Sequence, residues 1–519
     1  MTTPDQDARH AHSAQFAAAP GEVADTPAEF PRGPLLRLYA VLGILLLASL
    51  VPYLSPALGD YRYWDRWEWT PLQRAATWNP PPKAEVASPQ PGPGPGPSPN
   101  AAEEDISDQE LAKLAGLPSA ASATADLAQG ATASQALLVG DDVLGEQKVW
   151  IEGDLQALGP FYKALQELVA GKRQKVRIGH WGDSHIANDG LTHVVRLLLQ
   201  KRFGDGGHGY TLVQGRTEWY THKGIERTVS DGWKLYNFLN GNAKDGAYGY
   251  GGVSVEGVPG DNFTLSAGAK SPSTHWILYY RSLGKATVAV KIDGKVQAPL
   301  QLADSGRDGS QAWAVADGKH SANFRVTAGR VRIHGVAIER DQGLVYDSLG
   351  EVGARGTRWT QANAEHLQAV MSDRAPDLLI LNYGGNERQD PISEATYTKK
   401  MGEAIERLLA GRRDRAGCLL LGPSDHGERD KGKIISDPAI VRIIGWQRKL
   451  AKTAGCAFLD ARALMGGEGS MGRWVKDGLG WSDYSHFTAA GERYMGQAIY
   501  RALLQGLRRW DADQAKKAK

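Results

Sequence analysis

Hydrophobic and polar positions divide the chain into stretches of different texture. Leu38 to Gly59 contains no charged residue, and Leu38–Val51 is almost wholly apolar. That length spans a bilayer as a single helix. Pro52 and Pro56 fall near its outer end, and Tyr53, Tyr61, Tyr63, Trp64, Trp67 and Trp69 follow as an interfacial aromatic belt. The pattern predicts an uncleaved transmembrane anchor over residues 35–58, since it starts too late for a short signal peptide. Residues 1–34, rich in Ala, Pro and acids, read as a disordered tail. Residues 59–143 read as a Pro/Gly/Ala-rich linker, with Pro80-Pro81-Pro82 and alternating Pro and Gly from Pro91 to Pro97.

Folding is expected to resume near Trp150, with a helix over Pro160–Ala170 presenting Phe161, Leu165 and Leu168. A β-favouring run from Val176 then ends in Gly182-Asp183-Ser184. Gly190–Phe203 follows with Leu191, Val194, Val195, Leu198 and Leu199 at helical spacing. From about Tyr210 to Glu339 helical periodicity disappears. Short runs (Thr274–Tyr280, Ala286–Ile292, Phe324–Val326, Val331–Ile338) recur between Gly, Asp and Asn turns, the pattern of an antiparallel sandwich. Strands and helices then alternate again: strand Asp377–Tyr383, a helix through Met401, Ile405 and Leu408, strand Cys418–Leu421, helix Ala439–Ala454, strand Ala457–Leu459, and a last helix from Thr488 to about Trp510. Alternation of this kind predicts an α/β domain with a parallel sheet covered on both faces. The predicted organisation is a parallel-sheet α/β domain (144–212 and 346–512) into which an antiparallel β-sandwich (213–345) is inserted.

Composition narrows the function classes. A net charge of +2 over 519 residues carries no nucleic-acid footprint. Two cysteines, Cys418 and Cys456, are too few for a disulfide framework or a thiolate metal site, and each opens an apolar run. They read as small buried strand residues. The 62 glycines imply many turns, and the 15 tryptophans allow a sugar-contacting surface as well as core packing.

The position of Ser184, where a strand stops and a loop enters a helix, lifts a hydroxyl off the sheet edge beside backbone N–H groups. A base and a group to orient it are offered by Asp483 and His486, three apart in a turn before the last helix. Gly384-Gly385-Asn386-Glu387 directly follows a strand, and Ser348-Leu-Gly350-Glu-Val-Gly353-Ala-Arg-Gly356 is Gly-rich; either can present oxyanion donors. Asp425, His426, Asp205 and His208 receive no catalytic role from the sequence.

Taken in order, these motifs resemble the SGNH (GDSL-like) hydrolase family. The resemblance places the family's four residues at Ser184, Gly353, Asn386 and His486, with Asp483 completing the triad. Gly350 and Gly356 are alternatives to Gly353. His185 stands where the signature usually has Leu, and Glu387 where the third motif has Asp; neither change removes a catalytic atom. The Gly-Asp-Ser-His form with a β-insert is similar to the branch containing bacterial peptidoglycan O-acetylesterases, whose insert resembles a carbohydrate-binding module. The resemblance implies the flavodoxin-like three-layer fold and a serine esterase working through an acyl-enzyme. It implies no metal or other cofactor and an acetylated glycan substrate. It also places the body in the periplasm or outside the cytoplasmic membrane, although arginines on both sides of the anchor do not favour export. An O-acetyltransferase using the same residues, or a glycan-binding protein with an inactive site, would carry the same motifs.

Overall fold

The computed structural model of the protein describes residues 106–116, 137–268, 271–412 and 414–517. The expected tail and anchor, and most of the linker, lie outside the described residues. Among those described, no helix is long and apolar enough to cross a membrane.

Five strands form the central parallel sheet, in the order Gly343–Gly350, Lys175–Gly182, Leu378–Asn382, Gly417–Leu421, Ala457–Leu459. The first strand in the chain therefore lies second in the sheet. This is the flavodoxin-like order, whose switch point, between the first and third strands, opens a crevice at their carboxyl ends. Leu378–Asn382 shows why the sheet is sandwiched: Leu378 and Ile380 face one apolar cluster, Leu379 and Leu381 the other. Helices Gly159–Val169, Gly190–Phe203 and Ala489–Lys517 contribute to the first cluster; Ala364–Arg374, Glu394–Leu409 and Pro438–Ala454 contribute to the second.

The inserted domain consists of two antiparallel six-stranded sheets packed around Phe263, Trp276, Phe324 and aliphatic residues. Its strands Ser273–Ser282, Ala286–Ile292, Ser321–Ala328 and Val331–Glu339 fall on the runs expected to form a sandwich.

Two expectations need correction. Residues 343–350, expected to straddle the end of the insert and a Gly-rich loop, form a fully buried strand beside Lys175–Gly182. Polar Asp347 and Ser348 hid it, because both are satisfied only by tertiary partners: Arg374 for Asp347, Thr192 for Ser348. Part of the stretch read as linker is also described. Ser107 caps a helix, Asp108–Leu114, whose Leu111 is buried, and the Ala115 carbonyl accepts bonds from Arg202 (2.8 Å) and Tyr500 (2.9 Å). Finally, Cys418 and Cys456 are buried as expected but joined in a disulfide, with Cα atoms 4.7 Å apart. The Leu419–Ala457 register of two neighbouring parallel strands brings them face to face across 38 residues of sequence.

The insert is fastened to the core by buried charge. Arg374, fully buried, donates to Asp347 (2.6 and 2.8 Å) and also reaches Glu339 at the end of the insert's last strand. Glu339 accepts two further bonds from Arg177, both 2.9 Å.

Candidate active site

Lys175–Gly182 ends against its neighbour so closely that a Cβ on Gly182 would lie 2.9 Å from the Asn382 carbonyl oxygen and 2.3 Å from Ile186 Cγ1. Glycine therefore lets the chain turn at once into the short helix Ser184–Ala187, which Asp183 caps by accepting from the His185 N–H (3.1 Å). Ser184 is thus raised at the carboxyl edge of the sheet, beside the switch point.

Its Oγ lies 2.9 Å from His486 Nε2. On the far side of the ring, Nδ1 lies 2.6 Å from Asp483 Oδ2. The other carboxylate oxygen accepts from the Ser485 and His486 N–H groups (2.9 and 3.1 Å), and the turn closes through Tyr484 at φ +55°. Partial burial pushes the Asp483 carboxyl up, but the imidazole and the two N–H donors hold it far below the usual carboxylate range. An ionised Asp483 accepts the hydrogen bond from Nδ1–H, fixing that tautomer and leaving Nε2 free to accept from the serine hydroxyl. Three side chains drawn from opposite ends of the domain so form one hydrogen-bonded line.

The two loops named for oxyanion donors flank this line. One begins where the Glu351 N–H donates to Gly182 O (3.1 Å). The other passes close enough that a Cβ on Gly385 would lie 2.9 Å from Asp183 Oδ2. Asn386 Nδ2 donates to Ala354 O (3.0 Å), tying the loops together with one amide hydrogen and leaving the second. Gly350 is packed under the Ser184 turn, where a Cβ would lie 2.1 Å from Ala187 N. A Cβ on Gly356 would lie 2.7 Å from Met401 Sδ and 2.9 Å from Tyr383 Cδ2. Gly353, at φ +76°, would bring a Cβ to 3.1 Å from Arg216 Nη2. Glu387 is fully buried, its carboxyl pushed up to about 7 by desolvation.

Several neighbours carried no signal in the sequence. Trp219, from the loop leading into the insert, donates to Ser184 O (3.4 Å) and sets its ring 5.8 Å from that of His486. It also borders a groove of about 1780 Å³ whose lining includes Arg216, Glu218, Lys223, Asp293 and Lys319, the last two from the sandwich. His185 and His426 lie beneath the base loop, with ring centroids 5.4 Å (His185–His486) and 6.1 Å (His185–His426) apart. Asp425 and His426 do diverge, as adjacent residues tend to. Asp425 accepts from Arg462, Ser470 and the Met471 N–H, whereas His426 Nδ1 lies 3.1 Å from Ser485 Oγ. Asp205 pairs with Arg340 at 3.3 Å.

Two clusters hold ligand-type side chains: Asp189 with His208 and His222, and Asp308 with His334 and His366. In the first, Arg196 already engages both Asp189 oxygens (3.0 and 2.7 Å). In the second, Arg281 sits 2.9 Å from Asp308, and His366 Nε2 accepts the Gly249 N–H (2.8 Å). Each carboxylate is thus neutralised by a guanidinium, which fits a buried hydrogen-bond network better than a cation site.

No protein-family model matches the chain, and no curated protein does. Solved structures do. A structure described as a peptidoglycan O-acetylesterase in action matches with 23% identity and TM-score 0.58, covering 69% of this chain and 98% of that one. A family two carbohydrate esterase from Cellvibrio japonicus (11% identity, 55% and 98% covered) and a salicylyl-acyltransferase from a tetracycline biosynthetic pathway (13%, 55% and 95%) reach TM-scores of only 0.23 and 0.26, too low to establish a common fold. Across 69% of its length, then, the chain shares the fold of that peptidoglycan O-acetylesterase, consistent with the fold implied by the SGNH resemblance.

Proposed function

We propose that the protein is a membrane-anchored serine esterase that removes O-acetyl groups from a cell-envelope polysaccharide, with peptidoglycan the foremost substrate. The observation that carries this reading is the line Ser184–His486–Asp483 at the switch point of the sheet. Ser184 attacks the acetyl carbonyl as His486 Nε2 takes its proton, and Asp483 stabilises the imidazolium that forms. The Ser184 and Gly353 N–H groups and the second Asn386 amide hydrogen receive the oxyanion. His486 returns the proton to the departing sugar oxygen. Water, deprotonated by the same ring, then releases acetate and restores Ser184.

An acetyl group is far smaller than the groove beside Trp219, which suits an extended alcohol portion such as a glycan chain. The fold shared with a peptidoglycan O-acetylesterase supports the choice of polymer. The Cys418–Cys456 disulfide favours an oxidising compartment, and with the apolar 35–58 segment it supports a catalytic body held outside the cytoplasmic membrane.

The test is acetate release from O-acetylated peptidoglycan against acetylated xylan, with Ser184→Ala as control. The variant should lose about six orders of magnitude in kcat on either substrate, the scale on which nucleophile removal acts in a triad. Undiminished activity would discard the assignment, and a preference for xylan would discard the peptidoglycan reading.

A further inference from the structure

His185 follows the nucleophile, and its side chain turns away from it into the protein. Its Nδ1 lies 3.2 Å from Asp183 Oδ1, and its Nε2 3.0 Å from the Ser485 carbonyl oxygen. A carboxylate and a carbonyl can only accept, so both contacts are hydrogen bonds only if both ring nitrogens carry protons. Ser485 stands between Asp483 and His486, so the ring ties the nucleophile turn to the segment that carries base and orienter.

We propose that His185 is a positioning residue: held as a doubly protonated imidazolium, it braces the base loop so that His486 Nε2 stays aligned on Ser184. This inference rests on the proposed esterase chemistry for its kinetic consequence, not for its protonation state.

The surroundings favour the charged ring. Burial opposes it, but the hydrogen bond to Asp183 and the Asp183 charge, then the Ser485 carbonyl and Glu492 of the last helix, together raise His185 above the ordinary imidazole value. The groups facing it are Asp183 on its own turn, His486 on the base loop, Glu492 on the last helix and His426 after the fourth strand. His426 does not compete for the proton, since burial and then the charge on His185 lower it to about 3.

The structure also holds the partner for the deprotonated state. Ser424 Oγ lies 3.2 Å from Nε2 and can rotate to donate to a bare nitrogen. The ring would then keep Asp183 and release the Ser485 carbonyl, loosening the base loop. Because the folded value is raised, the brace is fully present below the ordinary imidazole value and is lost as pH rises through the raised one. kcat should therefore carry an alkaline limb, with KM unaffected, because the loss concerns alignment and not substrate binding.

The deciding measurement is nitrogen NMR of the full-length chain labelled in its histidines. At neutral pH one ring should show two protonated nitrogens, and that signal should vanish in His185→Gln; finding His185 with a bare nitrogen at that pH overturns the proposal. His185→Gln, which can donate from one nitrogen only, should lose about 10- to 100-fold in kcat at unchanged KM and lack the alkaline limb. A kcat like that of the parent, with the limb intact, rejects the brace. Should that variant fail to fold, Ser424→Ala serves: it removes the hydroxyl that feeds the neutral ring and should move the limb to higher pH, and an unmoved limb rejects the switch. If the chain releases no acetate from any ester, the proposed function falls, while the nitrogen spectrum still decides the state of His185.

Discussion

The active-site region contains two histidine–aspartate pairs with ring centroids 5.4 Å apart, built from the same side chains and set to opposite tasks. In Asp483–His486 the carboxylate and ring are 42% and 33% exposed; in Asp183–His185 they are 7% and 8%. The larger difference lies on the second ring nitrogen. His486 Nε2 meets a serine hydroxyl, which can give up a proton, so that ring can act as a base. His185 Nε2 meets the Ser485 carbonyl at 3.0 Å, which can only accept, with the Ser424 hydroxyl farther off at 3.2 Å, so on the proposed reading that ring keeps its proton and acts as a tie. A histidine next to an aspartate is therefore not a base on that account. The group facing its other nitrogen decides.

Substitutions can break this contrast one pair at a time. Asp483→Asn keeps the shape of the exposed pair but lets the wrong tautomer form, and should lower kcat by roughly 10⁴-fold, measured with a chromogenic acetate ester. A loss of less than tenfold would mean that His486 does not depend on this carboxylate. Asn386→Ala leaves both pairs intact and removes the proposed side-chain oxyanion donor, so kcat should fall by about 10²- to 10³-fold with no change in the shape of the pH profile. Asp183→Asn acts on the buried pair alone, retaining the amide oxygen that caps the His185 N–H. Without the carboxylate charge the raised His185 value falls, so the alkaline limb should move to lower pH, and kcat at neutral pH should drop on the order of tenfold. A limb that stays in place would separate Asp183 from the brace.

Much of the fold was legible because it rests on local patterns. The apolar runs Leu378–Leu381, Cys418–Leu421 and Ala457–Leu459 are strands buried on both faces, and such strands read as continuous hydrophobic segments. The strand Gly343–Gly350 was illegible for the converse reason: Asp347 and Ser348 look exposed until Arg374 and Thr192 are brought against them. The disulfide depends on a register between strands that no spacing of 38 residues reveals. Trp219 belongs to a stretch without periodicity, so nothing marked it as a neighbour of Ser184.

By itself the sequence determined which residues could be nucleophile, base, orienter and oxyanion donor. Those chemistries need particular side chains next to strand ends and turns, and both are written locally. Only the tertiary structure decided that Ser184 and His486, 302 positions apart, meet at 2.9 Å. It also decided that His185 turns its ring toward Asp183 and the Ser485 carbonyl, away from the reaction. Each of these depends on what lies across a gap from the residue, and that partner is supplied by the packing of distant segments.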